Sequence, residues 1–239
     1  MEKRSLKIVW TDRAKNDLQN IYNYLAEISI VIAENQIIKN SALNFTFFLQ
    51  TYDHPNSIIL LEGKRQVLEE DRPLLTALGE MLCRTMKHAT FRSGNAPGAD
   101  ELFANGVSKV DSSRMEVILP YSGHRKQANR GYDFHALDQL TLAAEPEVTY
   151  ETKSANRHQK LVDDFVDGIT NSVTIKAAYL LRDTVKVIGT RSGIPKATFA
   201  LFYDDLKNPG KGGTGHTMAV CRNNQVPFVN QEVWMRWLR

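Results

Sequence analysis

The feature that most constrains this chain is a set of short, continuous apolar runs separated by stretches of helical periodicity. After Pro55 the runs are Ser57 to Leu61 (SIILL), Ala89 to Arg92, Met115 to Leu119 (MEVIL), Val185 to Ile188, Ala197 to Phe202 and Val226 to Val229. Runs this short, with no polar alternation, suit strands buried on both faces, the condition of a parallel sheet. Parallel neighbours need a crossover, and the segments between the runs supply helices for it. One spans about Asp71 to Met86, with Pro73 in its first turn and Leu74, Leu75, Leu78 and Leu82 on one face. Others begin near Ala99, run from about His158 to Arg182, and begin near Thr217. The stretch from Gly123 to about Ser154 is polar and shows no sustained period. From residue 56 to 239 the pattern predicts a Rossmann-like α/β fold, a parallel sheet with helices on both faces.

The first 55 residues read differently. Leu6 to Trp10 (LKIVW) predicts a strand, Thr11 stands at an N-cap position, and Ala14, Leu18, Ile21, Tyr22 and Leu25 recur at helical spacing. A second helix is expected from about Ile30 to Leu49, closed by the turn formers Tyr52-Asp53-His54-Pro55-Asn56. That cluster is the expected boundary between a small βαα appendage, residues 1–55, and the α/β domain, residues 56–239.

A chain of 239 residues, 42% hydrophobic and 24% charged, can bury a full core. The net charge of +3 falls wholly after Pro55, and so small an excess argues against a nucleic-acid partner. Cys83 and Cys221 lack any CxxC partner, so a reducing, cytoplasmic setting is the simplest one. No apolar stretch approaches the ~18 residues of a membrane span, and the run near the start is too short for a signal peptide. The histidines show neither HExxH nor paired i,i+4 spacing, and no metal site is expected.

Two glycine-rich segments carry the functional signal, FRSGNAPGAD (Phe91 to Asp100) and KGGTGHT (Lys211 to Thr217). Each lies between a predicted strand and a predicted helix, so both are expected to open on the carboxyl edge of the sheet, where such folds bind ligands. Glycine lets backbone N–H groups approach a ligand, and a helix N-terminus favours phosphate. Gly210, Gly212 and Gly215 also satisfy GxGxxG, but in the last βα unit rather than the first, and no GxxxxGK[ST] loop occurs. Arg65, Arg125 and Arg191 follow predicted strands, and guanidinium forks suit phosphate. Asp204 and Asp205 end a strand at the same edge, and His216 lies inside the second glycine segment. Tyr121-Ser122-Gly123 lacks the GxSxG elbow of a serine hydrolase.

These residues resemble the SLOG superfamily, which includes the "lonely guy" phosphoribohydrolases, the DNA-processing protein DprA and the YpsA-like proteins. The resemblance rests on Gly63-Lys64-Arg65, on Ser93-Gly94-Asn95-Ala96-Pro97-Gly98-Ala99-Asp100, similar to the family's "sGgA.GaD" loop, and on Gly212-Gly213-Thr214-Gly215-His216-Thr217, similar to its "GGTxxT" loop. It implies binding of a nucleotide or nucleotide-derived ligand of the AMP, NAD or ADP-ribose type. Gly94, Asn95, Gly98 and Asp100 would line one side, with Gly212, Gly213, Thr214, Gly215 and Thr217 on the other. The phosphoribohydrolases carry a functional Glu in PGGxGTxxE, and Ala219 stands in its place here. Separately, KIVWTDRAKNDLQNIYNYL and AENQIIKN resemble the opening strand and helices of ParE-type toxins of the RelE/ParE superfamily.

The leading expectation is therefore a nucleotide-binding protein, a sensor or weak processing enzyme. An alternative is a hydrolase of N-glycosidic or phosphate bonds in which Asp100, Asp204 or His216 replaces the missing Glu. A third is an interaction protein whose N-terminal segment binds an antitoxin-like helix or a second protomer.

Overall fold

The computed structural model describes residues 43–125, 127, 131–156, 159–169 and 171–239. The expected βαα unit lies outside the described residues up to residue 42, and so does the ParE-like stretch. What is described of the second predicted helix is α1, Phe45–Tyr52. Asn44 caps it, its Oδ1 accepting the Phe47 N–H at 2.8 Å, and the chain then turns through His54, Pro55 and Asn56.

Beyond that turn the elements alternate as the apolar runs require. They are β1 (Ile58–Gly63), α2 (Arg72–Thr85), β2 (Thr90–Ser93), α3 (Ala99–Asp111), β3 (Met115–Leu119), β4 (Asp133–Ala136), α4 (Pro146–Ser154), α5 (Gln159–Val166), α6 (Ile175–Ile188), β5 (Phe199–Tyr203), α7 (Gly212–Asn223), β6 (Phe228–Asn230) and α8 (Gln231–Trp234). All neighbouring strands are parallel, in the order β4-β3-β2-β1-β5-β6. Helices cover both faces, so the Rossmann-like α/β architecture is the one the sequence predicts.

Alternation along β1 explains how one apolar run serves two cores. Ile59 and Leu61 pack with α1, α2 and α3 through Phe48, Leu75, Leu78 and Phe103. Ile58 and Leu60 face α6 and α7 through Val187, Met218 and Cys221. A third cluster joins Ile118 to Leu181 and Val185 of α6. The C-terminal aromatics close the first core. Trp234 is fully buried, its Nε1 donating to the Phe202 carbonyl at 2.9 Å, and the Trp237 ring lies 4.9 Å from that of Phe48.

Several predicted boundaries are corrected. Val185 to Ile188 is no strand but the last turn of α6. Every residue from Leu181 to Val187 is buried, the charged ones included, so this helix lacks the exposed face that would separate it from a buried strand. The single helix expected from His158 to Arg182 is two, α5 and α6. Gly168 adopts φ 90° between them, and the Asn171 Oδ1 accepts the Val173 and Thr174 N–H groups. The polar stretch 123–154 holds β4 and α4. The helix expected from Thr217 begins at Gly212, so the second glycine motif is itself helical.

The order of strands sets the place of a site. From β1 the chain steps outward through β2, β3 and β4, then returns to β5 on the other side of β1. The segments after β1 and β5 therefore lie side by side at the carboxyl edge, where the Lys64 N–H donates to the Tyr203 carbonyl at 2.9 Å.

Candidate functional site

The first glycine segment is shaped by one carboxylate. Asp100, in the first turn of α3, accepts the Gly63 N–H at 3.1 Å on one oxygen and the Gly94 N–H at 3.1 Å on the other. It thus clamps the ends of β1 and β2 together. Gly98 sits at φ 92°, and a Cβ there would lie 2.1 Å from the Arg65 carbonyl oxygen, so only glycine lets the post-β1 segment lie on the β2–α3 turn. The Ala99 N–H completes the contact by donating to the Lys64 carbonyl at 3.2 Å.

This packing sets the Arg65 charge near a cluster built from two other segments. After β3 come Tyr121, His124 and Arg125, and α6 contributes Tyr179 and Arg182. Arg125 donates to the Asn95 carbonyl and to Glu101, both at 3.0 Å. The His124 ring stands edge-on to Tyr121 at 5.3 Å and to Tyr179 at 5.6 Å, and the Arg182 guanidinium lies 5.5 Å from the Tyr179 ring centre. Burial, with the positive fields of Arg182, Arg125 and Arg65, pushes the His124 imidazole down to about 4. Burial and a hydrogen bond with Tyr121 raise the Tyr179 phenol. Ser93 Oγ and Asn95 Nδ2 are buried with no hydrogen-bond partner, and Asn95 lines a cavity of about 450 Å³ with Glu101, Asn105, Arg125 and Tyr132.

Between the two glycine motifs lies a buried ionic cluster. Lys186 Nζ is 2.6 Å from Glu62 Oε2 and 2.8 Å from Asp183 Oδ1, and Arg182 donates to the same Asp183 oxygen at 2.6 Å. Thr217 in α7 donates to the other Glu62 oxygen at 2.8 Å, and Arg182 donates to the Gly94 carbonyl at 2.8 Å. Burial drives Glu62 up to about 7 despite Lys186, whereas Arg182 and Lys186 outweigh burial and hold Asp183 below the carboxylate range. A Cβ on Gly94 would lie 2.9 Å from Arg182 Cζ, and one on Gly213 would lie 3.4 Å from Asp183 Oδ2. Side chains of α6 therefore stand between the motifs, which do not face each other across an open crevice.

The other expected residues fall as follows. Lys64 is 3.9 Å from Asp205 at the switch point. Asp204 accepts the Gly210 N–H at 3.0 Å and so holds the post-β5 segment. In α7, Thr214, Gly215, His216 and Thr217 are buried, whereas Gly212 and Gly213 are exposed. His216 Nε2 lies 3.1 Å from both Thr184 Oγ1 and the Leu180 carbonyl. Arg191 follows α6 rather than a strand, at the amino edge away from both motifs, where its guanidinium pairs with Glu147. Sequence reasoning missed Glu62, Tyr179, Arg182, Asp183 and Lys186. The available signal was charge inside apolar context, Glu62 directly after SIILL and three charges within AAYLLRDTVKVI.

Among the described residues no three His, Cys, Asp or Glu side chains gather as metal ligands, and no helix is long and apolar enough to cross a membrane. No family model matches the chain, and no curated protein matches it. A solved structure of DNA processing protein A from Helicobacter pylori, described for its single-stranded DNA binding mode, aligns over 79% of this chain and 69% of its own at 13% identity and a TM-score of 0.44. One expectation is corrected. The exclusion of nucleic acid, drawn from the small net charge, does not stand. The physical reason is that local charge, such as that around Arg65, Arg125 and Arg182, is invisible to a net sum.

Proposed function

We propose that the protein binds a phosphate-bearing nucleotide ligand at the carboxyl edge, between the ends of β1, β2 and β3 and the N-terminal half of α6. The observation that carries this reading is the convergence of Arg65, Arg125 and Arg182 with the rings of Tyr121, His124 and Tyr179. Guanidinium groups suit phosphate oxygens, and the aromatic faces suit a base. The buried, unpartnered Asn95 Nδ2 offers a donor beside them. The resemblance of Ser93 to Asp100 to the SLOG loop supports the same ligand class. Binding is preferred to turnover because the carboxylates of Asp100 and Asp204 are engaged by backbone N–H groups that hold the loops.

A second reading, a short single-stranded nucleic acid, shares this chemistry and is favoured by Tyr121, which is 36% exposed and offers a stacking platform. Calorimetry with AMP, NAD, ADP-ribose and a short oligothymidine, on the wild type and on Arg65→Ala/Arg125→Ala, tests both. The double change is expected to weaken the preferred ligand more than about tenfold, which is about 1.4 kcal/mol. Binding unaffected by the change would rule out this site.

A further inference from the structure

Glu62 is the least neutralised carboxylate of the buried ionic cluster. Asp183 Oδ1 takes both Lys186 at 2.8 Å and Arg182 at 2.6 Å, and the Asp100 oxygens each accept a backbone N–H. Glu62 has one cation, Lys186, and one neutral donor, the Thr217 hydroxyl. Glu62 is 3% exposed, and Lys186 and Thr217 are fully buried, so water does not screen the charge.

The hydrogen bonds around Glu62 suit it with or without a proton. Thr217 Oγ1 lies 2.8 Å from Glu62 Oε1 and 3.1 Å from the Gly213 carbonyl. When Glu62 is ionised, the hydroxyl donates to the carboxylate. When Glu62 is protonated, its O–H donates to Thr217 Oγ1, and the Thr217 proton turns to the Gly213 carbonyl, which can only accept. Oε2 keeps the Lys186 ammonium in both states, so neither leaves a buried polar atom unpaired. The charged and titratable groups around this point are Lys186, Asp183 and Arg182 of α6, Asp100 of α3, and Cys221 and His216 of α7. Burial pushes the Cys221 thiol up and the His216 imidazole down, which keeps both neutral, whereas the carboxylates hold Lys186 and Arg182 charged. Burial with the negative fields of Asp183 and Asp100 drives Glu62 up to about 7, so its two states balance near neutrality. Contacts of 2.6, 2.8 and 2.6 Å lead from Glu62 through Lys186 and Asp183 to Arg182. An anion drawn to Arg182 therefore adds negative field to a cluster with one readily protonated member.

We propose that Glu62 takes up a proton from solvent when a phosphate-bearing nucleotide binds, so that the site holds its ligand more tightly as pH falls through neutrality. This rests on the nucleotide reading above and adds its regulation. By reciprocity, the ligand raises the Glu62 midpoint by as much as the proton strengthens binding. The gain is complete below the midpoint of the free protein and is lost as pH rises through the raised midpoint of the complex.

The test is calorimetry with AMP on the full chain, wild type and Glu62→Gln, between about pH 6 and about pH 8. The AMP phosphate and His124 titrate alike in both proteins, so the ratio of affinities isolates Glu62. The wild-type affinity relative to the variant should fall about twofold or more across this range. On the wild type alone, the Glu62 carboxyl carbon resonance should titrate near neutrality, and AMP at saturation should raise its midpoint by about half a pH unit or more. Binding of AMP with that midpoint unmoved, or an affinity ratio flat in pH, would overturn the proposal and leave the nucleotide reading intact. Absence of AMP binding at every pH would overturn both.

Discussion

The Arg182 guanidinium donates to the Gly94 carbonyl at 2.8 Å, fastening α6 to the turn that follows β2. The same side chain reaches Asp183 and lies over Tyr179, so one residue joins the glycine turn, the buried ionic cluster and the aromatic face of the site. Several expected outcomes depend on that arrangement.

Removing the buried ammonium should be costly. Lys186→Met leaves Glu62 and Asp183 without their shared cation in a fully buried place, and breaking such a pair costs about 3–5 kcal/mol. Urea unfolding measures this. Adding Glu62→Gln should recover part of the loss, because one stranded charge is then removed. A loss below about 1 kcal/mol would show that the cluster is already hydrated.

The pH response of His124 has a definite sign. Folding lowers its affinity for protons from the ordinary 6.5 to about 4, so between those values the unfolded chain holds more protons. Its contribution is complete above about 6.5 and is lost as pH falls toward 4. Glu62, pushed the other way, opposes this over part of the range, so the comparison must be with His124→Gln. The stability of the wild type relative to that variant should decline steadily as pH is lowered through this window. A gap independent of pH would contradict the shift.

Gly98→Ala tests the contact between the β1 and β2 ends. The backbone conformation at φ 92° and ψ −125° costs an L-residue about 1–3 kcal/mol, and the added methyl must also displace the Arg65 carbonyl. Both lower stability and weaker nucleotide binding are expected, measured by thermal unfolding and calorimetry. Unchanged binding would detach Arg65 from the site.

The helix before the α/β alternation is part of the core. Phe48 is fully buried against Phe199 and Trp237, and Phe48→Ala should cost about 3–5 kcal/mol in chemical unfolding. A loss under about 1 kcal/mol would mean that α1 packs only peripherally.

The parallel sheet was legible because β1, β3 and β5 are short, buried apolar runs with no competing period. The last turn of α6 misled for the same reason, since a helix buried all round loses the polar face that marks its period. The first glycine segment was legible through Gly94, Gly98 and Asp100, whose conformations and contacts only those residue types satisfy. The separation of the two motifs was not. It depends on Arg182, Asp183 and Lys186, whose charges meet Glu62 from 120 or more positions away, a pairing no local pattern encodes. Tyr179 joins His124 in the same way, through tertiary packing alone.

The proposed nucleotide lies beside Asn95, His124 and Arg182. The most direct measurement is a titration of isotope-labelled protein with AMP followed by amide and imidazole resonances. Saturable shifts should centre on Gly94, Asn95, His124 and Tyr179, accompanied by a rise in the His124 pKa as phosphate offsets the surrounding guanidinium charge. Shifts absent from these residues, or a His124 titration unchanged at saturation, would contradict it.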